Sequence, residues 1–577
     1  MIKLFRNLKP YRWVVAAVLV LVFFQTLSEL YLPTLMADIV DKGVVTGDTP
    51  YIWRVGGLML LVALGGMICS VAASFYSSKA ATGFGKLLRG KVFKHASNFS
   101  LEEFDKIGTA SLITRTTNDI NQVQQVLIMM LRMMVMAPMM CLGGILMAVS
   151  KDATLSLILV VILPVLALTI WLIARKGLPL FKAIQKKIDK LNLVMRESLT
   201  GIRVIRSFNR TDYESKRFDE ANLDLTDTSI KVNKIMAFMM PVMMLVMNLS
   251  SVAIIWYGGL RIDAGHMQVG DLMAFLQYAM QIMFSLVMVS MMFVMIPRAA
   301  ASAVRINEVL DMEPIIKDTV TGKNPTQAGQ RGLVEFDNVS FSYPGAEQPA
   351  IQNISFTAKP GQVTAIIGGT GSGKSTLISL IPRFYDVQEG SVRVGGVDIR
   401  DLTQEELRSK IGFVPQKAVL FSGTISENIR YGKEDASDEE VRHAAQTAQA
   451  SEFIGNMEEG FNSLIAQGGT NVSGGQKQRL SIARALVRPA EIYIFDDSFS
   501  ALDFKTDAKL RAALKQETQE STVMIVAQRV STVLDADQII VMNESQIVGI
   551  GNHTELMETC EVYQEIVRSQ LSEEEIA

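Results

Sequence analysis

The chain has 577 residues, 49% of them apolar, and a formal net charge of −2. That length calls for more than one domain, and nothing in the near-neutral charge balance points to nucleic acid. Cys69, Cys141 and Cys560 lie too far apart for a disulfide framework or a metal-ligand spacing, so they read as unpaired thiols in a reducing compartment.

The N-terminal residues carry Lys3, Arg6, Lys9 and Arg12, but the apolar run that follows leads into a helix, not a small-residue cleavage site. It is therefore not a cleavable signal peptide. A bilayer-spanning helix needs about 20 mostly apolar residues. Six such runs occur, at 14–36, 54–76, 127–149, 154–174, 235–258 and 272–297. The connections after the first, third and fifth are short. The other two are long and basic, with Lys79, Lys86, Arg89, Lys91, Lys94, Lys106 and Arg115 in the first of them and Arg175, Lys176, Lys182, Lys186, Lys187 and Lys190 in the second. Lysine and arginine accumulate on the cytoplasmic side, which puts the long connections and both termini inside. Leu193, Val194, Leu199, Ile202, Ile205 and Phe208 recur at helical spacing, which predicts helix over 191–218 rather than a slack loop.

Methionines crowd the third, fifth and sixth runs, among them Met129, Met133, Met239, Met243, Met291 and Met295. Such side chains suit a surface that adapts to varied apolar ligands, and equally fill helix–helix contacts. Glu29 and Arg132 fall in or near spans, where charge is costly and often functional. Arg132 can snorkel to the interface. Glu29 lies deeper and is the better candidate to face a cavity.

Asp311, Pro314, Gly322, Pro325 and Gly329 interrupt the pattern and mark a linker at 311–331. This divides the chain into a transmembrane domain, 1–310, and an α/β domain, 332–577. In the latter, an apolar strand runs into Gly368-Gly-Thr-Gly371-Ser372-Gly373-Lys374-Ser375-Thr376 and then into a helix. That is G-x-x-x-x-G-K-[ST] in its strand–loop–helix context. The glycines let backbone N–H groups wrap the phosphates of ATP, Lys374 reaches the β- and γ-phosphates, and Ser375 reaches Mg²⁺. The strand ending at Asp496 supplies an acid of the kind that holds Mg²⁺. Between them, Gln416 follows the strand 411–415, and Ser473-Gly474-Gly475-Gln476 opens a helix.

Taken together, these motifs resemble those of ABC transporters of the exporter type, with membrane and nucleotide domains fused, over nearly the whole chain. Phe341-Ser-Tyr343-Pro resembles the aromatic loop, which implies that Tyr343 stacks on adenine. Gln416 fits the Q-loop near Mg²⁺, Ser473 to Gln476 the signature motif, and Ser500-Ala-Leu-Asp503 the D-loop. Residues 197–208, and Gly108 with Arg115, Asn118 and Asp119, resemble the two cytoplasmic helical loops. The resemblance implies a six-span α-helical transmembrane domain joined to a P-loop ATP-binding domain with a helical subdomain. It also implies that two such nucleotide domains close head to tail around two ATPs, each held by one chain's phosphate loop and the other's signature.

Two departures carry weight. The family's general-base glutamate is Asp497 here, and its switch histidine is Gln528. A carboxylate set back by about 1 Å can lose on the order of 10²-fold in rate. Glutamine hydrogen-bonds phosphate but shuttles no proton. Both together imply an ATP site that hydrolyses weakly, beside a signature motif altered only at Val472, where leucine is frequent. The segment 467–470 also lacks the family's acidic character. The expectation is an ATP- and Mg²⁺-dependent exporter of hydrophobic or amphipathic small molecules. It would be paired with a different half-transporter subunit in the lipid of a bacterial inner membrane. A homodimeric lipid or peptide exporter using Asp497 as base, and an ATP-binding gate without productive turnover, remain the alternatives.

Overall fold

The structure, a computed structural model, describes residues 1–318 and 330–571. It separates into two compact units, residues 1–97 with 109–312, and residues 98–108 with the chain from 313 onward.

The first unit is built of long helices: α1 (Arg12–Asp38), α2 (Thr49–Ala96), and, after the short α3 (Leu101–Ile107) that folds with the second unit, α4 (Ile120–Lys151), α5 (Leu157–Thr200), α6 (Thr211–Asp263) and α7 (Val269–Asp311). Among the described residues, six helices are long and apolar enough to cross a membrane, one for each apolar run in the sequence. They are also much longer than a bilayer requires. The 53 residues of α6 rise about 80 Å at 1.5 Å each, against about 30 Å of hydrocarbon. The long basic connections are therefore largely continuations of the spans. Helix over 191–218 is realised with two breaks. Gly201 ends α5, a one-turn helix covers Ile202–Ser207, and Asn209 takes a left-handed φ of 49° before α6 begins. Asparagine tolerates the left-handed conformation at 209, whereas Gly201, at φ −88° and ψ 10°, takes torsions open to any residue.

Trp53, Leu61, Leu146, Val161 and Trp256 are exposed on the helix surfaces, as lipid-facing side chains of a membrane protein are. Inside, α7 packs along α4, α1 along α2, and α5 along α6. Gly143 and Gly144 set the closest approach. A Cβ there would stand 2.4 Å from Leu30 Cδ1 and 2.7 Å from Ile282 Cγ1. Small residues at such points let membrane helices touch along their backbones. The expected linker, 311–331, falls largely on residues 319–329, which lie outside the described residues.

In the second unit the strands are, in chain order, β1 (Val334–Phe341), β2 (Ile351–Ala358), β3 (Val363–Gly368), β4 (Glu389–Val394), β5 (Val397–Asp398), β6 (Ile411–Val414), the two-residue β7 (Gly423–Thr424) and β8 (Leu464–Ile465), then β9 (Ile492–Asp496), β10 (Thr522–Val526), β11 (Gln538–Asn543) and β12 (Gln546–Gly551). The main sheet runs β12-β11-β3-β10-β9-β6, parallel except for the antiparallel edge strand β12. A second, antiparallel sheet runs β2-β1-β4-β5. Every residue of β9 and β10 is buried. A parallel sheet covered on both faces selects such apolar runs. Alternation still sorts them: Ile366, Ile494, Met524 and Ile540 enter one core, whereas Ala365, Phe495, Ile525 and Val541 enter the other.

Candidate nucleotide-binding site

Parallel register makes the site. Val526 pairs with Asp496 and with Ile366, and Val414 with Phe495, so β3, β6, β9 and β10 end at the same edge of the sheet. The loops leaving those ends hold the phosphate-loop glycines, Gln416, Asp496 with Asp497, and Gln528. Ligands of open parallel sheets bind at this carboxyl edge.

The loop after β3 takes left-handed φ values at Gly371 (84°) and Gly373 (96°). At Gly373 a Cβ would also lie 2.4 Å from the Ala350 carbonyl oxygen, so no other residue fits. Lys374 opens α8 (Lys374–Leu380) and is buried. Its Nζ donates to the carbonyl oxygens of Gly368 at 2.9 Å and Gly369 at 2.7 Å. Burial pushes this ammonium below its ordinary range, against the pull of Asp497 and Asp496. Ser375 Oγ donates to Asp496 Oδ1 at 2.9 Å. Burial pushes the Asp496 carboxyl up, and the Ser375 hydrogen bond works against that. Tyr343 shares a hydrogen bond with Thr376 Oγ1 at 3.0 Å, and its ring meets those of Phe341 and Tyr385 edge-on.

Asp497 sits in the left-handed region, with φ 44°. Its Oδ2 accepts from Gln528 Nε2 at 3.0 Å and from Gln416 Nε2 at 3.4 Å. The structure thus gathers Tyr343, the phosphate loop through Thr376, Gln416, Asp496, Asp497 and Gln528. It does not bring Ser473, Gly474, Gly475 and Gln476 to them by any hydrogen bond among the described residues. Ser473 caps α9 (Gly474–Leu486), accepting from Gln476 N while Gln476 Oε1 accepts from Ser473 N at 2.8 Å. A Cβ on Gly475 would come within 3.0 Å of the Ala501 carbonyl, so the signature turn leans on the loop after Asp497.

Sequence reasoning missed α3 as a part of this unit. Asp105 Oδ2 on α3 accepts from the Tyr385 hydroxyl at 3.3 Å, and Glu103 Oε1 accepts from Ile315 N at 2.9 Å. A signal was present: Ser100-x-x-Glu103 is a capping box, and both of its bonds form.

Sequence comparisons agree with this arrangement. The profile of the ABC transporter transmembrane region matches residues 15–286, and that of the ABC transporter family matches 351–500. An uncharacterized ABC transporter ATP-binding protein of Mycobacterium tuberculosis is 45% identical over 568 residues, spanning 98% of this chain and 97% of that protein. An ATP-dependent lipid A-core flippase of Chromobacterium violaceum is 32% identical, over 95% of this chain and 93% of its own length. The solved structure of a bacterial Atm1-family ABC exporter with ATP bound superposes with a TM-score of 0.81 at 26% identity, covering 97% of this chain and 99% of that one. With identity this high along both halves, the six-helix unit and the nucleotide unit are parts of one known design, and the chain belongs to the ABC transporters, as an ATP-hydrolysing exporter whose transmembrane and ATP-binding domains are fused.

Proposed function

We propose that this chain is one subunit of a heterodimeric exporter of hydrophobic or amphipathic compounds, with a weakly hydrolytic ATP site of its own. The observation that carries the reading is the double hydrogen bond onto Asp497 Oδ2 from Gln528 and Gln416. The carboxylate that should activate water is short, and its outer oxygen is engaged by two neutral donors. Neither donor can accept a proton from water on its behalf.

The residues present suit Mg·ATP: a hydroxyl and a carboxylate in contact are the hard oxygen ligands Mg²⁺ prefers, and the glycine loop aims N–H groups at phosphate. ATP supplies the anhydride whose cleavage drives the cycle, and Mg²⁺ neutralises the phosphate charge. Lys374 would exchange the loop carbonyls for phosphate oxygens, Ser375, Asp496 and Gln416 would hold the metal, and Tyr343 would offer its ring to adenine. Thr376 and Ser372 line the same loop. The capped signature turn from Ser473 to Gln476 is intact and completes the partner's site, where hydrolysis resets the transporter. Domain limits of 1–310 and 332–577, cytoplasmic termini and a bacterial inner membrane complete the reading, supported by the lysine and arginine of the long connections.

The test is nucleotide retention in the assembled pair. One tightly held ATP per dimer through many turnovers is expected. Rapid and equal turnover of both bound ATPs would contradict the proposal. A second reading, a homodimeric lipid exporter with Asp497 as base, draws support from the flippase among the relatives. It requires robust hydrolysis by this chain alone, lost in Asp497→Asn.

A further inference from the structure

The first unit holds a polar cluster that the nucleotide chemistry does not use. Gln25 on α1 is only 5% exposed. Its Nε2 donates to Glu29 Oε1 at 2.9 Å, and its Oε1 has no partner. Across from it on α7, Gln281 donates through Nε2 to the Glu29 carbonyl oxygen at 3.1 Å, and its Oε1 is likewise buried without a partner. Both amides spend their observed donor bonds on Glu29, which leaves two amide oxygens and one carboxylate oxygen as a group of acceptors. The neighbouring hydroxyls are committed elsewhere: Thr26 donates to Val22 O, Ser28 to Val62 O, and Tyr278 and Thr34 bond each other. Buried acceptors left unmatched cost roughly 1–3 kcal/mol each, so such a cluster calls for a donor from outside.

We propose that Gln25, Glu29 and Gln281 form the docking site for the ammonium head group of an amphipathic substrate. The acceptor set is specific in its chemistry. A protonated primary amine brings three N–H donors and a positive charge for Glu29, which forms no ion pair among the described residues. A hydroxyl brings one donor and no charge, and a quaternary ammonium brings charge and no donor. The surroundings suit the rest of such a molecule. Met280 and Phe284 on α7 are exposed within a turn of Gln281 and offer apolar surface to a chain or ring. Gly143 and Gly144 hold α4 against α1 and α7 at this level, which fixes the spacing of the acceptors.

This site takes its meaning from the export reading, but occupancy can be measured without turnover. The full chain in lipid nanodiscs would be titrated with a fluorescent long-chain primary amine, its trimethylammonium analogue and its alcohol analogue, with empty nanodiscs subtracted. The amine should bind roughly tenfold tighter than either analogue, the worth of one charge-assisted hydrogen bond in a membrane. Glu29→Gln should erase that preference while its circular dichroism and thermal unfolding stay those of the wild type, which shows that the variant is folded. Gln281→Leu should weaken amine binding several-fold with the same control intact. Equal binding of the three probes by the wild type, or a preference that survives Glu29→Gln, would overturn the site. ATP-driven uptake of the alcohol analogue into inverted vesicles that hold the assembled pair reads export separately. Flux without head-group preference overturns this inference alone, and preference without flux supports the site while contradicting export.

Discussion

Gln528 donates its side-chain N–H to Asp497 Oδ2 at 3.0 Å, and Gln416 reaches the same oxygen at 3.4 Å. The three residues leave three different strands of one parallel sheet, so the sheet register, not their sequence spacing, creates the contact. Two carboxamides on one carboxylate oxygen compete with water for that oxygen, the atom through which a general base would act. The replacement of histidine by glutamine and of glutamate by aspartate thus meets at a single atom.

The lysine of the phosphate loop gives a prediction with a sign. Burial holds its ammonium below its ordinary 10.5, and phosphate binding favours the charged form. ATP affinity is therefore complete below the lowered pKa of the free site and declines as pH rises above it. Lys374→Arg should keep affinity flat over that window, whereas Lys374→Ala should reduce it at least about 100-fold at neutral pH. Titration with a fluorescent ATP analogue checks both.

Ser473 has two separable duties. As the N-cap of α9 it contributes about 1 kcal/mol, so Ser473→Ala should lower the stability of the nucleotide unit by that amount in denaturant unfolding. In the assembled pair the same change should cut turnover by about 100-fold, far beyond its effect on stability, because it removes a donor from the partner's catalytic site. ATP binding to this chain's own loop should persist.

The Tyr385–Asp105 contact joins a segment inserted between two membrane helices to the nucleotide unit. Burial pushes the tyrosine hydroxyl well above its usual range, so it remains a donor at every physiological pH. A double-mutant cycle with Tyr385→Phe and Asp105→Asn should give a coupling on the order of 1 kcal/mol in thermal unfolding. Zero coupling would mean that this hydrogen bond does not hold α3 in place.

Much of this molecule is legible in the sequence because its signals are local. Each span is an unbroken apolar run, and the loop from Gly368 to Thr376 carries its own geometry in glycines with left-handed φ. Departures at Asp497 and Gln528 are visible once the motif around them is placed. What sequence could not give depends on which elements become neighbours. Nothing near Gln281 announces that it will reach the backbone of Glu29, more than 250 positions away. Helical periodicity over 191–218 was real, but the breaks at Gly201 and Asn209 depend on backbone torsions that periodicity does not encode. The assignment of α3 to the nucleotide unit follows from tertiary contact, although its capping box was readable.

The central claim is that Asp497 and Gln528 disable this chain's own ATP site. The most direct measurement is steady-state ATPase of the chain purified alone into lipid, beside the double substitution Asp497→Glu with Gln528→His. The account predicts a nearly silent wild type and an active double variant, on the order of 100-fold faster. Brisk hydrolysis by the wild type, with little gain from the double substitution, would contradict it.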